Sequence, residues 1–285
     1  MVSPHAPSPG GSTGSGAASG DAAPVRDAST VILVRDAVDD ARGLEVFLLE
    51  RVGGMAFAGG MTVFPGGGVD FSDADEDLAW AGPDAAWWAE RFGVEESKAM
   101  ALVCAAARET FEECGILLAG PTADSLVADT TGFASDRRSL ECREQTFGEF
   151  LVRNELVLRA DLLRPWSNWI TPVGEKRRYD TRFFVATAPD GQHADGATSE
   201  AASVGWRSVA SALEDWRNGT TILLPPTWSQ LSGLAEFDSV AEVLASTPVI
   251  RPIQPDLYHV DGEVRIDFPG QQGYYDGSSH PWTKR

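Results

Sequence analysis

The sequence is short of positive charge. It carries 23 basic residues against 42 acidic ones, a formal net charge of −19, and only Lys98, Lys176 and Lys284 are lysine. Nucleic acid and anionic membrane surfaces are bound mainly through basic faces, so neither is expected as a partner. Cysteine is scarce as well. Cys104, Cys114 and Cys142 cannot close a disulfide framework and read as packing thiols of a reduced, cytoplasmic chain. No apolar run approaches the ~18–20 residues of a membrane-spanning helix. The four histidines, His5, His193, His259 and His280, include no pair at metal-ligand spacing. What is present in quantity is apolar side chain, 43% of 285 residues, enough for a core in one large domain or two small ones.

Residues 1–28, rich in Pro, Gly, Ser and Ala and without signal-peptide features, are expected to be a disordered tail. Residues 29–250 are expected to form the main domain, with an insertion at about 71–97, and 251–285 a C-terminal extension. Thr30–Arg35 and Leu44–Arg51 read as neighbouring strands, followed by a glycine-rich stretch from Gly53 to Gly68. A helix is expected over Asp84–Phe92 behind Pro83. Another runs from about Glu95 to Cys114, closed by Gly115, and a third covers Phe147–Leu158. Strands are expected at Trp166–Thr171, Tyr179–Thr187 and Val204–Val209. Helices should follow at Val209–Asn218 and Thr227–Ala245, the latter broken near Phe237, and Asp261-Gly262 should turn a final hairpin. The sum is a mixed α/β chain without internal repeats.

The informative string is Arg108-Glu109-Thr110-Phe111-Glu112-Glu113-Cys114-Gly115-Ile116. On a helix, Glu109 shares a face with Glu112 and Glu113, where like charges at i,i+3 and i,i+4 repel by a few tenths of a kcal/mol per pair. The helix C-terminus disfavours them further, by roughly 0.3–1 kcal/mol each. Two readings explain the crowding: a bound divalent cation, or an exposed acidic patch partnered by Arg108.

With Phe64-Pro65-Gly66-Gly67 upstream, this string resembles the Nudix hydrolase superfamily, whose box runs Gly, five residues, Glu, seven residues, Arg-Glu-aliphatic-x-Glu-Glu-x-Gly-aliphatic. Gly67 matches the opening glycine, and Arg108, Glu109, Glu112, Glu113, Gly115 and Ile116 match the second half; Thr110 replaces the aliphatic residue. Forty residues separate Gly67 from Arg108 where the box has about 13, an insertion of 27. Eight positions before Arg108, where the box places its first glutamate, stands Met100.

Leu48-Leu49-Glu50-Arg51, Gly60, Val63 to Asp70 and Asp73, then Trp169 to Pro172, Arg178 to Phe184 and Leu223 to Thr227, are similar to the coenzyme A diphosphatase branch with an interrupted box. The resemblance implies a Nudix-type α/β/α sandwich with a mixed sheet, a helical insertion and C-terminal helices. It implies hydrolysis of the diphosphate in a nucleotide-type small molecule, coenzyme A or an acyl-CoA first, with Mg²⁺ or Mn²⁺ as cofactor. NADH, ADP-ribose, dinucleoside polyphosphates and a non-catalytic nucleotide-binding regulator are the alternatives, the last on account of Met100. In this reading Glu109 and Glu113 are metal ligands and Glu112 binds a second metal or acts as base. Arg108 holds the glutamates, and Gly66 and Gly67 bring backbone against the metal. Glu200 is a further base or an ordinary loop residue. Arg51, Arg178 and Arg182 contact substrate, with a solvated turn as the alternative for the basic cluster Lys176 to Arg182.

Overall fold

The computed structural model describes residues 23–37, 43–53, 60–74, 78–199, 201–260 and 262–276. In chain order the strands are β1 (Val25–Asp36), β2 (Leu44–Arg51), β3 (Thr62–Val63), β4 (Gly66–Gly68), β5 (Trp80–Ala81), β6 (Ala119–Gly120), β7 (Val157–Arg159), β8 (Arg164–Ile170), β9 (Arg178–Ala186), β10 (Ala201–Ser208), β11 (Pro252–Ile253), β12 (Asp256–Val260) and β13 (Glu263–Asp267). The helices are α1 (Ala85–Phe92), α2 (Glu96–Cys114), α3 (Ala134–Glu141), α4 (Phe147–Arg153), α5 (Val209–Arg217), α6 (Pro225–Leu234), α7 (Val240–Ala245) and α8 (Gln271–Asp276).

The main sheet runs β10-β2-β1-β9-β8-β11, with β1 parallel to β9 and β2 antiparallel to β1. Val31, Ile32, Leu33 and Val34 of β1 are all fully buried, which accounts for an uninterrupted apolar run where a half-exposed strand would alternate. Val31 and Leu33 pack with Phe47, Leu49 and Phe184 under α1 and α2. Ile32 and Val34 pack with Val46, Leu48 and Phe183 beneath α5 and α6. Helices on both faces of a mixed sheet make the α/β/α sandwich that the resemblance implied.

Two local readings change. Strand β1 starts at Val25, inside the segment read as tail. Val25–Ala28 pair with Arg178–Thr181, so the neighbouring strand recruits residues that lack an apolar pattern of their own. The helix expected over Phe147–Leu158 stops at Arg153. Thr146 and Glu149 form a reciprocal capping box at its start, Glu155 takes φ 53° just past its end, and Val157–Arg159 become a strand between β5 and β6. The helix in the inserted segment packs onto the sheet. This helix, α1, begins on Asp84, whose side chain accepts the Trp87 N–H, and buries Trp88 and Phe92 against Phe184 with ring centroids 5.7 and 5.3 Å apart.

The final segment joins the body of the fold. β11 pairs with β8, Phe268 packs on Trp169, and the Tyr274 hydroxyl donates to the Leu223 carbonyl at 2.9 Å. β12 and β13 form a hairpin, of which Asp261 lies outside the described residues. Among the described residues no helix is long and apolar enough to cross a membrane.

What positions the site is a fork in the sheet. β1 pairs with β2 only over Val34–Asp36, and beyond that β2 diverges to pair with β3 at Leu49–Glu50. The earlier part of β1, Ala28–Thr30, pairs instead with β4. Residues 62–68 therefore fill the gap between two separating strands, and the C-terminal half of α2 lies over it.

Candidate active site

Helix α2 has no Gly or Pro in its 19 residues and ends on Gly115, which takes φ 72° and donates its N–H to the Phe111 carbonyl. Its last two turns face the glycines of β4 closely. The Gly66 N–H donates to Glu113 Oε2 at 2.7 Å. A Cβ on Gly67 would lie 2.4 Å from Glu109 Oε1, so any side chain there would displace that carboxylate. A Cβ on Gly66 would meet the Ser29 carbonyl at 2.5 Å, on the opposite side of the strand pairing. Two glycines are thus required by close approach, one to the helix and one to β1.

Arg108 is the hub. Its Nη1 donates to Glu109 Oε1 at 2.8 Å and to Glu112 Oε1 at 3.2 Å, and its Nη2 donates to the Gly68 carbonyl at 2.8 Å. Its Nε and Nη2 also donate to the two oxygens of Asp73, both at 3.0 Å, and Asp73 is 2% exposed. Burial opposes the Arg108 charge, but Glu109, Asp73 and Glu112 outweigh it and hold the guanidinium firmly protonated. Burial raises the Glu112 carboxyl above its ordinary value; Arg108 opposes that shift, while Asp73 and Asp70 add to it.

Asp73 corrects the reading of the box. Counting back from Arg108 gives Met100, about 12 Å along the helix from Arg108 at 1.5 Å per residue. The residue that follows the five-residue spacer after Gly67 is Asp73, an acid one methylene shorter than the glutamate of the box. The insertion therefore lies after this acid, and the backbone folds back to deliver it to Arg108. The signal was present in the spacing, but only when measured from the glycine.

Arg137, on α3, had no sequence signal. Buried, it donates from Nε to the Glu112 carbonyl at 2.9 Å and pairs with Asp195 at 2.6 Å. It places positive charge at the C-terminal end of α2, where the helix dipole otherwise disfavours the glutamates.

The remaining candidates are placed differently. Arg51 ends β2, where its N–H donates to the Met61 carbonyl and its own carbonyl accepts from Gly60, on the rim of the fork. Glu200 lies outside the described residues. Arg178 is buried and donates to the carbonyls of Thr171 and Ala23 and to Gln254 Oε1. Arg182 is buried beneath Phe92 of α1 and paired with Asp180. The structure therefore does not bring Arg178 or Arg182 to the carboxylates, because the inserted helix and the C-terminal segment cover that end of β9.

This second polar cluster predicts an acid response. Burial works against the charge of Asp180, but the bonds from Arg182 and Asn168 and the charge of Lys98 win and hold its pKa below the ordinary value. A depressed carboxylate stabilises the fold above its unfolded pKa of about 3.9 and loses that contribution as pH falls through the folded value. Urea unfolding followed from pH 7 to 2 should therefore show stability falling below about pH 4, and Asp180→Asn should flatten that fall.

Among the described residues no three His, Cys, Asp or Glu side chains converge as a ready cation cage. The donor set nevertheless fits a hard divalent ion: Glu109, Glu112 and Glu113 offer carboxylate oxygens only, beside a glycine surface with no side chain in the way. Cavities of about 510 and 470 Å³ beside the loop 187–197 are lined by none of these three residues, so cavity size does not mark the chemistry here.

A glycine strand set against the Arg-Glu-x-x-Glu-Glu end of a helix, within an α/β/α sandwich, defines a Nudix fold. A crystal structure of a Nudix hydrolase from Alicyclobacillus acidocaldarius superposes with TM-score 0.66 over 80% of this chain and 98% of that one, at 24% identity. The family described as the NUDT19 Nudix domain matches residues 90–234. The chain belongs to this NUDT19 branch of the Nudix hydrolases. It is similar to the acyl-coenzyme A diphosphatase NUDT19 of Gallus gallus, with 30% identity over 85% of this chain and 75% of that protein. The Xenopus laevis protein of the same name is 27% identical over 70% of this chain, which spans 62% of that relative's length.

Proposed function

We propose that the chain is a divalent-metal-dependent hydrolase that cleaves the diphosphate of coenzyme A or an acyl-CoA into a 4′-phosphopantetheine species and adenosine 3′,5′-bisphosphate. The observation that carries this reading is that Arg108 holds Glu109 and Glu112, and the Gly66 N–H holds Glu113, where the end of the helix meets the bare backbone of Gly66–Gly68. The choice of coenzyme A is supported by the names of the relatives and by the signature segments at residues 48–73, 169–184 and 223–227.

Glu109 and Glu113 are the metal ligands in this reading, and Glu112 takes a second metal or serves as base. Mg²⁺ or Mn²⁺ supplies charge compensation at the diphosphate and a more acidic water. Arg108, fixed by Asp73, holds Glu109 and Glu112 at a common edge, so the carboxylates need little reorganisation when a cation enters. The β4 glycines let phosphate oxygens approach the same edge. Met100, which favoured a regulator without catalysis, loses that weight once Asp73 occupies the acid position.

The test is turnover of a panel of CoA, acetyl-CoA, NADH, ADP-ribose and dinucleoside polyphosphates with Mg²⁺ or Mn²⁺ and with EDTA. The expected result is cleavage of the CoA compounds that EDTA abolishes. Turnover insensitive to EDTA would remove the metal, preference for another member would replace the substrate, and no turnover at all would favour the regulator.

A further inference from the structure

The segment that carries Asp73 also presents two residues that the reading above does not use. Asp70 and Asp73 are locked in one turn: the Asp70 N–H donates to Asp73 Oδ2 at 2.8 Å, and the Asp73 N–H donates to the Asp70 carbonyl at 3.0 Å. Between them Phe71 is fully exposed. Arg143, from the loop joining α3 to α4, reaches Asp70 Oδ1 at 3.6 Å, and Asp70 Oδ2 lies 4.0 Å from Arg108 Nη2. Arg143 is thus one carboxylate removed from the hub, with its side chain 80% exposed.

The backbone at Arg143 is unusual. It takes φ 57°, a region costly for a residue with a β-carbon, and is held there by its N–H bond to the Leu140 carbonyl at 2.8 Å. An ion pair this long and this exposed contributes little to the fold, so it does not by itself account for the conformation. A phenylalanine left wholly in water likewise forgoes burial that the core would reward. Both features lie beside the carboxylate cluster, where anions are dense and Arg108 is already engaged.

We infer that Arg143 and Phe71 form the substrate-facing rim of this site. Arg143 binds a phosphate of the diphosphate substrate, exchanging its loose contact with Asp70 for charge-assisted hydrogen bonds to phosphate oxygens, and Phe71 is the flat contact for the planar base joined to that diphosphate through the ribose. The inference rests on the reading of the site as a diphosphate site.

Calorimetry with carbon-bridged analogues in the presence of Mg²⁺ separates the parts without turnover. Methylenebisphosphonate has phosphates and no planar group; α,β-methylene-ADP has both. Arg143→Asn keeps a residue suited to φ 57° and removes the charge, so it should bind both analogues about tenfold more weakly, with Arg143→Lys recovering part of the loss. Phe71→Ser should weaken only α,β-methylene-ADP, about tenfold, at an unchanged unfolding temperature. Wild-type affinity for methylenebisphosphonate in Arg143→Asn, or no binding by the wild type, overturns the role of Arg143. Unchanged affinity for α,β-methylene-ADP in Phe71→Ser overturns that of Phe71. Because binding is read apart from cleavage, loss of the hydrolase reading shows in the turnover panel and loss of the rim shows here.

Discussion

Glu113→Gln should lower kcat on the best substrate by about 10³, equivalent to about 4 kcal/mol of transition-state stabilisation, with little change in stability. The substitution is chosen for what it retains. A glutamine Oε1 can still accept the Gly66 N–H, now accepted by Glu113 Oε2 at 2.7 Å, so the helix stays seated on β4. What disappears is a formal negative charge at the end of α2, on which a divalent cation depends. The loss should fall on kcat rather than on KM, because in the proposed reading the carboxylate acts on the reacting diphosphate and not on the remote parts of the substrate. Single-turnover kinetics with saturating Mg²⁺ would check this, and a kcat within tenfold of wild type would remove Glu113 from the metal site.

Arg108→Met should destabilise the fold by about 3–5 kcal/mol in urea unfolding with EDTA present. The guanidinium is the shared partner of Asp73, Glu109 and Glu112, and without it Asp73, 2% exposed, is left as a buried carboxylate facing two others. Adding Asp73→Leu should then cost less than its single substitution does, since the two residues act as one unit, with a coupling of at least about 1 kcal/mol. A loss under 1 kcal/mol for Arg108→Met would show that the carboxylates relax into water without it. Added Mg²⁺ should restore part of the stability, because a cation bound to the folded state substitutes for the missing charge.

Much of the scaffold was legible because its signals are local. The run Val31–Val34, the unbroken stretch from Glu96 to Cys114 and the stop at Gly115 each carry their own periodicity or cap. The helix over Phe147–Leu158 was overextended because Val157 and Leu158 are apolar in either state. Their neighbours in β5 and β6, far off in sequence, decide for a strand. Arg178 and Arg182 read as a substrate cluster because charge in a sequence looks exposed by default. Only the packing of Phe92 and the Gln254 contact show that these two are covered.

The site divides along the same line. Residues 108–115 alone determined that three carboxylates share one face at a helix end, and therefore that a compensating cation had to come from somewhere. That follows from helical geometry and Coulomb repulsion, which need no tertiary contact. The sequence could not say where the compensation lies. Gly66, Asp73 and Arg137 meet α2 across separations of 25 to 47 residues, and Arg143 meets Asp70 across 73, through pairings fixed by the fork in the sheet and by the insertion. The scarcity of positive charge across the whole chain argues against polyanions as partners, while the fold gathers Arg108, Arg137 and Arg143, three of its 20 arginines, near one acidic helix end.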